Sequence, residues 1–349
     1  MKRYKSYKKA WAISGIIAFV FLLIGCGGNS NLTPLPDYYE LDDVEYLEQF
    51  GIEVSIRTSF GVSAADLVLL PDENFYGVIE LANTTDPIVA DLSNLSTHDV
   101  DFILKVFLNY EEVAFRVEDQ ETYETAYVFH LERGYRLKFE FTLPEFLVSE
   151  NSTHKLTVAV FPDPNRELLT EENYHWLDWR DWALNNDLVV GSGGDIHFET
   201  PEFLELTSRA ENENFIDFFV APQFELNEWG LTASPELNMQ VQRGEDIELL
   251  FYTSFRGSTR SIELENYLII GLLNWQQVPL NGNPFLFVEA LEQEFDLVRD
   301  HGSFIIDAID EVGLYDFVVI MVHNPKHFNT IYNFFPLVTS NRLVIEVIE

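Results

Sequence analysis

The sequence predicts an all-β protein of two tandem antiparallel β-sandwich domains, preceded by a short apolar leader and an acidic tether. From about residue 51 onward, short apolar or alternating runs follow one another, separated by turn residues. The 349 residues include 29 Phe and 15 Tyr, which indicates aromatic-rich cores. Sequence landmarks also recur at nearly constant spacing, which predicts a duplicated domain.

The first element is a leader that ends at Cys26. Residues 1–9 carry five basic residues and no acid, and the apolar run Ala10–Ile24 follows. This run is shorter than the roughly 20 residues needed to cross a bilayer as a helix. Its end, Leu23-Ile24-Gly25-Cys26, resembles the lipobox of bacterial lipoproteins, whose cysteine is lipidated and becomes the first residue of the mature protein. An uncleaved signal anchor is the alternative.

The lipobox resemblance implies a location outside the cytoplasm. Residues 1–25 would be removed as a signal peptide. A lipid on Cys26 would anchor the remainder to the cell membrane, or to an outer membrane if the organism has one. Cys26 is the single cysteine of the chain, so no structural disulfide is available and the stability must come from packing.

The net charge of the chain limits the classes of molecule that it can bind. The formal net charge is −37, with 58 acidic against 21 basic residues, and the leader holds five of the basic ones. Such a surface repels the phosphate backbone, so nucleic-acid binding is excluded. Solubility, or adaptation to a salty or alkaline medium, explains the acidity more simply than binding of cationic partners.

Residues 26–50 are predicted to be the lipidated cysteine and an acidic linker. Pro34 and Pro36 break regular structure, and six acids between Asp37 and Glu48 favour solvation. The linker is expected to hold the first folded domain away from the bilayer.

Residues 51–204 are assigned to sandwich domain 1. Its clearest strand is Tyr135–Thr142, where apolar and charged residues alternate as in a strand with one buried face. The turn Arg133-Gly134 is expected to join it to the run 123–131 as a hairpin. Further strands are predicted in both halves of the chain, at 102–108, 155–161, 247–253, 267–273, 285–290, 317–322 and 342–348.

Residues 205–349 are assigned to a second, related sandwich domain. Leu108-Asn-Tyr-Glu-Glu-Val-Ala-Phe115 matches Leu273-Asn-Trp-Gln-Gln-Val-Pro-Leu280, and each copy follows an apolar strand. A later strand leading to Pro164 matches one leading to Pro325, in the same order and at nearly the same spacing. Two ordered landmarks favour duplication over coincidence.

A short motif in the second copy supports a fold family. Glu311-Val-Gly-Leu-Tyr-Asp-Phe317 resembles the start of strand F in immunoglobulin-like domains, with Gly313 and Tyr315 in structural roles. The resemblance implies immunoglobulin-like or fibronectin-like sandwiches, in which the tyrosine hydroxyl bonds back to the backbone. The first copy has Ser152 and His154 at these positions, so its corner must be held differently.

The candidate binding residues are Trp176, Trp179 and Trp182. Their spacing of three would place them on one broad face of a helix. They would form an aromatic platform for a sugar or peptide. The simpler alternative is a helical connector that packs its tryptophans on the sandwich. It is favoured because the corresponding stretch of the second copy, Phe328–Phe335, is also aromatic.

Motifs for chemistry are largely missing from the sequence. It contains no zinc-protease, calcium-hand or phosphate-loop pattern and no thiol beyond Cys26, so no catalytic residue is assigned. No cofactor is predicted, apart from calcium as a weak candidate. Asp163, with Glu167, offers hard oxygen ligands for it, although solvated loop acids are the commoner case.

The sequence therefore favours a non-catalytic, membrane-anchored surface protein that acts as a binding or adhesion module. A cell-wall glycan or an envelope protein is the expected partner. An alternative is a structural or assembly lipoprotein of the envelope, and an all-β carbohydrate-active enzyme is less favoured.

Overall fold

The computed structural model shows an all-β protein in which four sheets form two sandwiches. It describes residues 32–34, 58–64, 78–94, 99–118, 120–164, 182–194, 203–204, 208–209, 217–223, 226–227, 230–231, 238–256, 266–289, 297–323, 325 and 338–349. In these ranges, no helix has the length and apolar character to cross a membrane. The leader, Cys26 and most of the predicted linker lie outside the described residues.

The described residues form 25 strands. The strands of domain 1 are β1 (Leu32–Pro34), β2 (Thr58–Ala64), β3 (Val78–Leu81), β4 (Ile88–Asn94), β5 (Val100–Leu108), β6 (Glu111–Glu112), β7 (Arg116–Val117), β8 (Tyr127–Leu131), β9 (Tyr135–Thr142), β10 (Thr153–Pro162) and β11 (Trp182–Val190). The strands of domain 2 are β12 (Phe203–Leu204), β13 (Ser208–Arg209), β14 (Asp217–Ala221), β15 (Leu226–Asn227), β16 (Gly230–Leu231), β17 (Asn238–Gln242), β18 (Ile247–Arg256), β19 (Asn266–Leu273), β20 (Gln276–Val278), β21 (Leu286–Glu289), β22 (Leu297–Ile306), β23 (Gly313–His323), β24 (Val338–Thr339) and β25 (Leu343–Ile348).

Each domain has an outer and an inner sheet. Outer sheet 1 has the order β1-β9-β4-β2, with β7 on β9, and inner sheet 1 has the order β3-β11-β10-β5-β6, with β8 on β5. Outer sheet 2 has the order β13-β22-β18-β14, and inner sheet 2 has the order β12-β21-β19-β23-β25-β17, with β20 on β19 and β24 on β23. Strands β15 and β16 form a separate ladder.

The two inner sheets share a strand order. The central run β11-β10-β5 corresponds to β25-β23-β19, and each run ends on a parallel neighbour, β3 or β17. The remaining pairs are antiparallel, except for β12 with β21. Two packed sheets with this three-strand run are immunoglobulin-like, as predicted.

The first and second cores lie inside the two sandwiches. In β9, Leu137, Phe139 and Phe141 are buried, as the alternating pattern predicts, and Phe139 meets Phe129 of β8 at a ring-centroid distance of 5.6 Å. In domain 2, Phe304 of β22 and Phe317 of β23 meet at 6.1 Å across the second core. Aromatic side chains from facing sheets thus fill both sandwiches.

A third core lies between the two inner sheets. In β5, Phe102 and Leu104 face the first core, whereas Ile103 and Phe107 face this third core. Domain 2 contributes residues of β19, β21 and β23, including Leu268, Ile270, Phe287, Val318 and Ile320. Because the inner sheets are covered on both faces, their strands are continuous apolar runs instead of alternating ones.

The predicted hairpin between 123–131 and β9 is wrong. Strand β8 pairs with β5 of inner sheet 1, while β9 pairs with β4 of outer sheet 1. The alternating pattern predicted the buried faces correctly, because both strands point apolar side chains into the first core. It carries no information about which strand supplies the hydrogen-bonding partner.

Two further differences concern the domain limits. Leu32–Pro34, inside the predicted linker, form β1 and pair with β9. Pro34 is compatible with this place because β1 is an edge strand, where a missing N–H is tolerated. At the other limit, β12 ends at Leu204 yet pairs with β21 of domain 2, so that domain begins before residue 205.

Candidate functional site

The junction between the two inner sheets is built around two equivalent hairpin tips. Asn109 and Tyr110 follow β5, and Asn274 and Trp275 follow β19. All four have positive φ, from 46° to 70°. This conformation is strained for residues other than glycine, and least so for asparagine. Such strain persists only where surrounding contacts enforce it.

Each asparagine fastens its tip to the neighbouring strand. Asn109 N donates to Lys155 O (2.7 Å), and Asn109 Oδ1 accepts from Lys155 N (3.0 Å). Asn274 makes the same two bonds with Asp316, at 2.7 and 2.8 Å. The repeat found in the sequence therefore includes an asparagine that performs the same backbone task in both domains.

The two aromatic tip residues cross the junction. Tyr110 Oη donates to the carbonyl oxygen of Pro325 (2.9 Å), and Trp275 Nε1 donates to that of Pro164 (3.1 Å). Tyr110 is fully buried, and this burial raises its pKa, so the hydroxyl keeps its proton as a donor. Since Tyr110 corresponds to Trp275 and Pro164 to Pro325, the two contacts are reciprocal, as at an isologous interface.

A second reciprocal contact joins the two hairpins. Glu112 N donates to Gln277 Oε1 (2.5 Å), and Gln277 N donates to Glu112 Oε2 (2.7 Å). Gln277 Nε2 also donates to Tyr110 O (2.9 Å). Behind Glu112, the ammonium group of Lys105 donates to the carboxylate, and burial lowers the pKa of Lys105.

Buried ion pairs flank the junction with opposite polarity in the two domains. Lys155 Nζ donates to Asp187 Oδ1 (2.6 Å) in domain 1. In domain 2 the residue corresponding to Lys155 is Asp316, which accepts from Arg342 Nε (2.7 Å). The Arg342 guanidinium also lies 4.6 Å from the Trp275 ring centroid, a cation–π contact. Each buried charge thus has a partner of opposite charge.

The weak calcium candidate Asp163 lies beside this cation. Arg342 Nη2 donates to the carbonyl oxygen of Asp163 at 3.3 Å, which places a positive charge close to the proposed ligand. Glu167 lies outside the described residues. Within the described ranges, no group of three or more His, Cys, Asp or Glu side chains is placed to hold a metal. Calcium binding stays a prediction.

The tryptophan-rich segment reaches the junction at its end. Trp182 is the first residue of β11, where its backbone pairs with Val160 of β10. The predicted helix therefore does not include Trp182, while Trp176 and Trp179 lie outside the described residues. Strand β24, which follows the aromatic stretch 328–335, has Cα atoms within 8 Å of β11. The strands that follow the two aromatic connections, β11 and β24, thus lie close together.

The strand-F corners differ between the domains. Tyr315 Oη donates to Glu311 O (2.8 Å), close to Gly313. In domain 1, Ser152 Oγ donates to Ser149 O (2.5 Å), and His154 Nε2 lies 2.8 Å from Ser152 Oγ.

The direction of these bonds excludes an activated serine. Because the single Ser152 hydroxyl hydrogen points to a backbone carbonyl, His154 Nε2 must donate to Oγ. His154 Nδ1 then accepts from Asn109 Nδ2 (3.2 Å). A base would have to accept the serine proton, so this chain of bonds is structural. Burial lowers the pKa of His154, which keeps the imidazole neutral.

Reasoning from the sequence missed the residues that build the junction. Tyr110, Glu112, Trp275 and Gln277 all lie in the repeat that identified the duplication. One signal in the sequence could have indicated the junction. Tyr110 and Trp275 occupy the same position of the repeat, just after an apolar strand.

No protein-family model matches the chain, and a search of curated proteins finds no match. The C-terminal domain of the Streptococcus agalactiae antigen I/II polypeptide BspA is 12% identical, with a TM-score of 0.25, over 83% of this chain and 100% of that one. Red sea bream transglutaminase is 11% identical, with a TM-score of 0.22, over 87% of this chain and 33% of that one. The CupB6 tip adhesin of Pseudomonas aeruginosa is 9% identical, with a TM-score of 0.20, over 85% and 99%. Similarities this low support no inference about activity or partners.

Proposed function

We propose that this protein is a lipid-anchored extracytoplasmic binding module whose ligand site lies at the junction of its two sandwiches. The reciprocal contacts of Tyr110 with Pro325 and of Trp275 with Pro164 carry this proposal. They fix the start of each aromatic connection against the other domain. Ligand sites occur preferentially between domains, where two chain segments converge.

The proposed ligand is a cell-wall glycan or an extended peptide of an envelope protein. Aromatic side chains such as Trp176 and Trp179 offer flat apolar surfaces with an N–H donor, which suits sugar rings and peptide backbones. The net charge of −37 disfavours polyanionic ligands. Because Ser152 and His154 lack the bond direction of a nucleophile and base, we favour binding over hydrolysis.

A binding screen tests the ligand site. Soluble residues 29–349 are assayed against peptidoglycan, wall glycans and envelope extracts, with calcium present or chelated. Trp179→Ala should abolish binding while leaving the melting temperature unchanged, and Trp229→Ala, outside the segment, is the matched control. A different result would support a structural or assembly role: neither the wild type nor the Trp179→Ala variant binds, and the variant unfolds at a lower temperature than the wild type.

Cell fractionation tests the anchor independently. Cys26→Ala should release the protein from membranes or leave an unprocessed precursor, because the variant lacks the sulfur that carries the lipid. Mass spectrometry of the wild-type N-terminal peptide should show a lipidated cysteine. A protein that fractionates in the same way with either residue is not anchored through Cys26.

A further inference from the structure

The most exposed apolar side chain identified in the described ranges is Phe146, with 87% of its surface accessible. It lies in the loop that leaves β9 and leads to β10. On either side of it, Leu143 and Val148 are buried in the first core, and Leu147 N donates to Pro144 O (3.0 Å). The loop is therefore well packed and holds Phe146 outward.

The same loop position is acidic in domain 2. Counting back from the equivalent residues Lys155 and Asp316, Phe146 corresponds to Asp307, which is exposed. Val148 corresponds in the same way to Ile309, which packs against the second core. The two loops thus share their inward residue and differ at the outward one, so packing does not require an aromatic residue at this place.

The register of β1 shows from which end of domain 1 the chain enters this strand. Leu32 pairs with Leu137 and Pro34 with Tyr135, so the chain enters β1 from the side of the last residues of β9. Thr142, at the end of β9, lies about 17 Å beyond Leu137 along the strand. Residues 27–31 allow Cys26 to lie at most about 20 Å from Leu32. Measured along β9, Cys26 can therefore lie as far from Leu137 as the Phe146 loop does.

We propose that Phe146 docks domain 1 onto the bilayer that holds the Cys26 lipid. This inference depends on the proposed anchor, because one phenylalanine does not hold a protein on a membrane alone. The tether keeps the loop at high effective concentration beside the lipid surface. The exposed Glu145 and Glu150 flank the loop, so docking favours zwitterionic over anionic headgroups. Docking would bring domain 1 into contact with the membrane. The solvated linker predicted from the sequence would instead hold the domain away from it.

The test uses the full, lipidated chain in phosphatidylcholine vesicles. Lipidation blocks Cys26, the single native cysteine, so an introduced thiol can be labelled selectively with an environment-sensitive fluorophore. Glu145→Cys reports on the loop, and Arg133→Cys, at the other end of β9, is the control. Quenching by spin-labelled lipids should be several-fold greater at 145 than at 133. Adding Phe146→Asp, the domain 2 residue, should reduce it to the level at 133.

The outcomes separate this inference from the anchor itself. If mass spectrometry shows no lipid on Cys26, the anchor has failed, and the thiol of Cys26 will then react with the label. If the lipid is present but quenching is equal at 145 and 133, or is unchanged by Phe146→Asp, docking through Phe146 is refuted. Circular dichroism of the Phe146→Asp variant should match the wild type, because the side chain lies outside the core.

Discussion

The junction is most sharply tested by Glu112→Gln. The Lys105 side chain is 1% exposed and the Glu112 side chain 13%, and the carboxylate is the charge that compensates the buried ammonium. Glutamine keeps the shape of the side chain and an oxygen that can accept from Gln277 N. The substitution therefore removes the charge and leaves the other contacts of the hairpin largely intact.

The magnitude follows from the burial of Lys105. Removing one partner of a buried ion pair typically costs about 3–5 kcal/mol, because the remaining charge stays desolvated. Because Glu112 is slightly exposed, we expect a loss of unfolding free energy near the lower end of this range. The loss of unfolding free energy is limited, because Lys105 can lose its proton and become neutral. Burial already lowers its pKa below the usual 10.5, and loss of the carboxylate lowers it further.

Denaturant unfolding between pH 7 and pH 10 measures both effects. In the unfolded chain Lys105 has its ordinary pKa, so the unfolded state binds more protons than the folded state between the two pKa values. The free energy of unfolding of the variant should therefore rise with pH across that window, up to about pH 10.5. The wild type should show a smaller rise, because its carboxylate holds the lysine pKa nearer to normal.

Lys105→Met with Glu112→Gln is the matched control. Domain 2 has Ile270 where domain 1 has Lys105, so an apolar side chain suits this position of the junction. The double variant should recover most of the lost stability and lose the part of the pH dependence that Lys105 causes, while the part due to the buried Lys155 remains. A cost below about 1 kcal/mol for Glu112→Gln at pH 7, or a double variant as unstable as the single one, would refute the burial argument.

Two further predictions concern packing and pH. Gly271→Ala should cost about 1–3 kcal/mol, because a Cβ there would lie 2.7 Å from Leu280 Cδ2; Gly313→Ala, with its nearest neighbour at 3.7 Å, should cost less in the same thermal melts. Since burial lowers the pKa of His154, the unfolding free energy should fall as pH drops below about 6.5 and through the folded pKa. Replacing His154 by Phe should make that part of the profile less steep, and the partly buried His301 accounts for part of the slope that remains. An unchanged slope would show that His154 does not contribute to it.

Local patterns were sufficient to place nine of the 25 strands in the described residues. The alternation over Tyr135–Thr142 gave the limits of β9 and its buried face, and the apolar run 102–108 gave all but the first residues of β5. Both signals arise from burial of side chains next to a single core. They are therefore local in sequence.

The strand pairings and the contacts between the two inner sheets could not be predicted from local patterns. The parallel pair β3–β11 joins strands far apart in sequence, with no turn that fixes the register. The junction depends on the outward face of β5 and β10 meeting a second copy of the same surface. An apolar residue such as Phe107 has the same appearance in sequence whether it faces its own sandwich or the neighbouring one.

The contacts of the junction also show where the two domains differ. Tyr110 and Trp275, like Glu112 and Gln277, make reciprocal contacts, so the junction has the form of an interface between two similar surfaces. With glutamate at both positions, two carboxylates would meet at the centre of the interface and repel each other. Gln277 removes one of these charges and supplies the amide donor that now binds Tyr110 O. The two domains thus keep the position of this contact and differ in its charge.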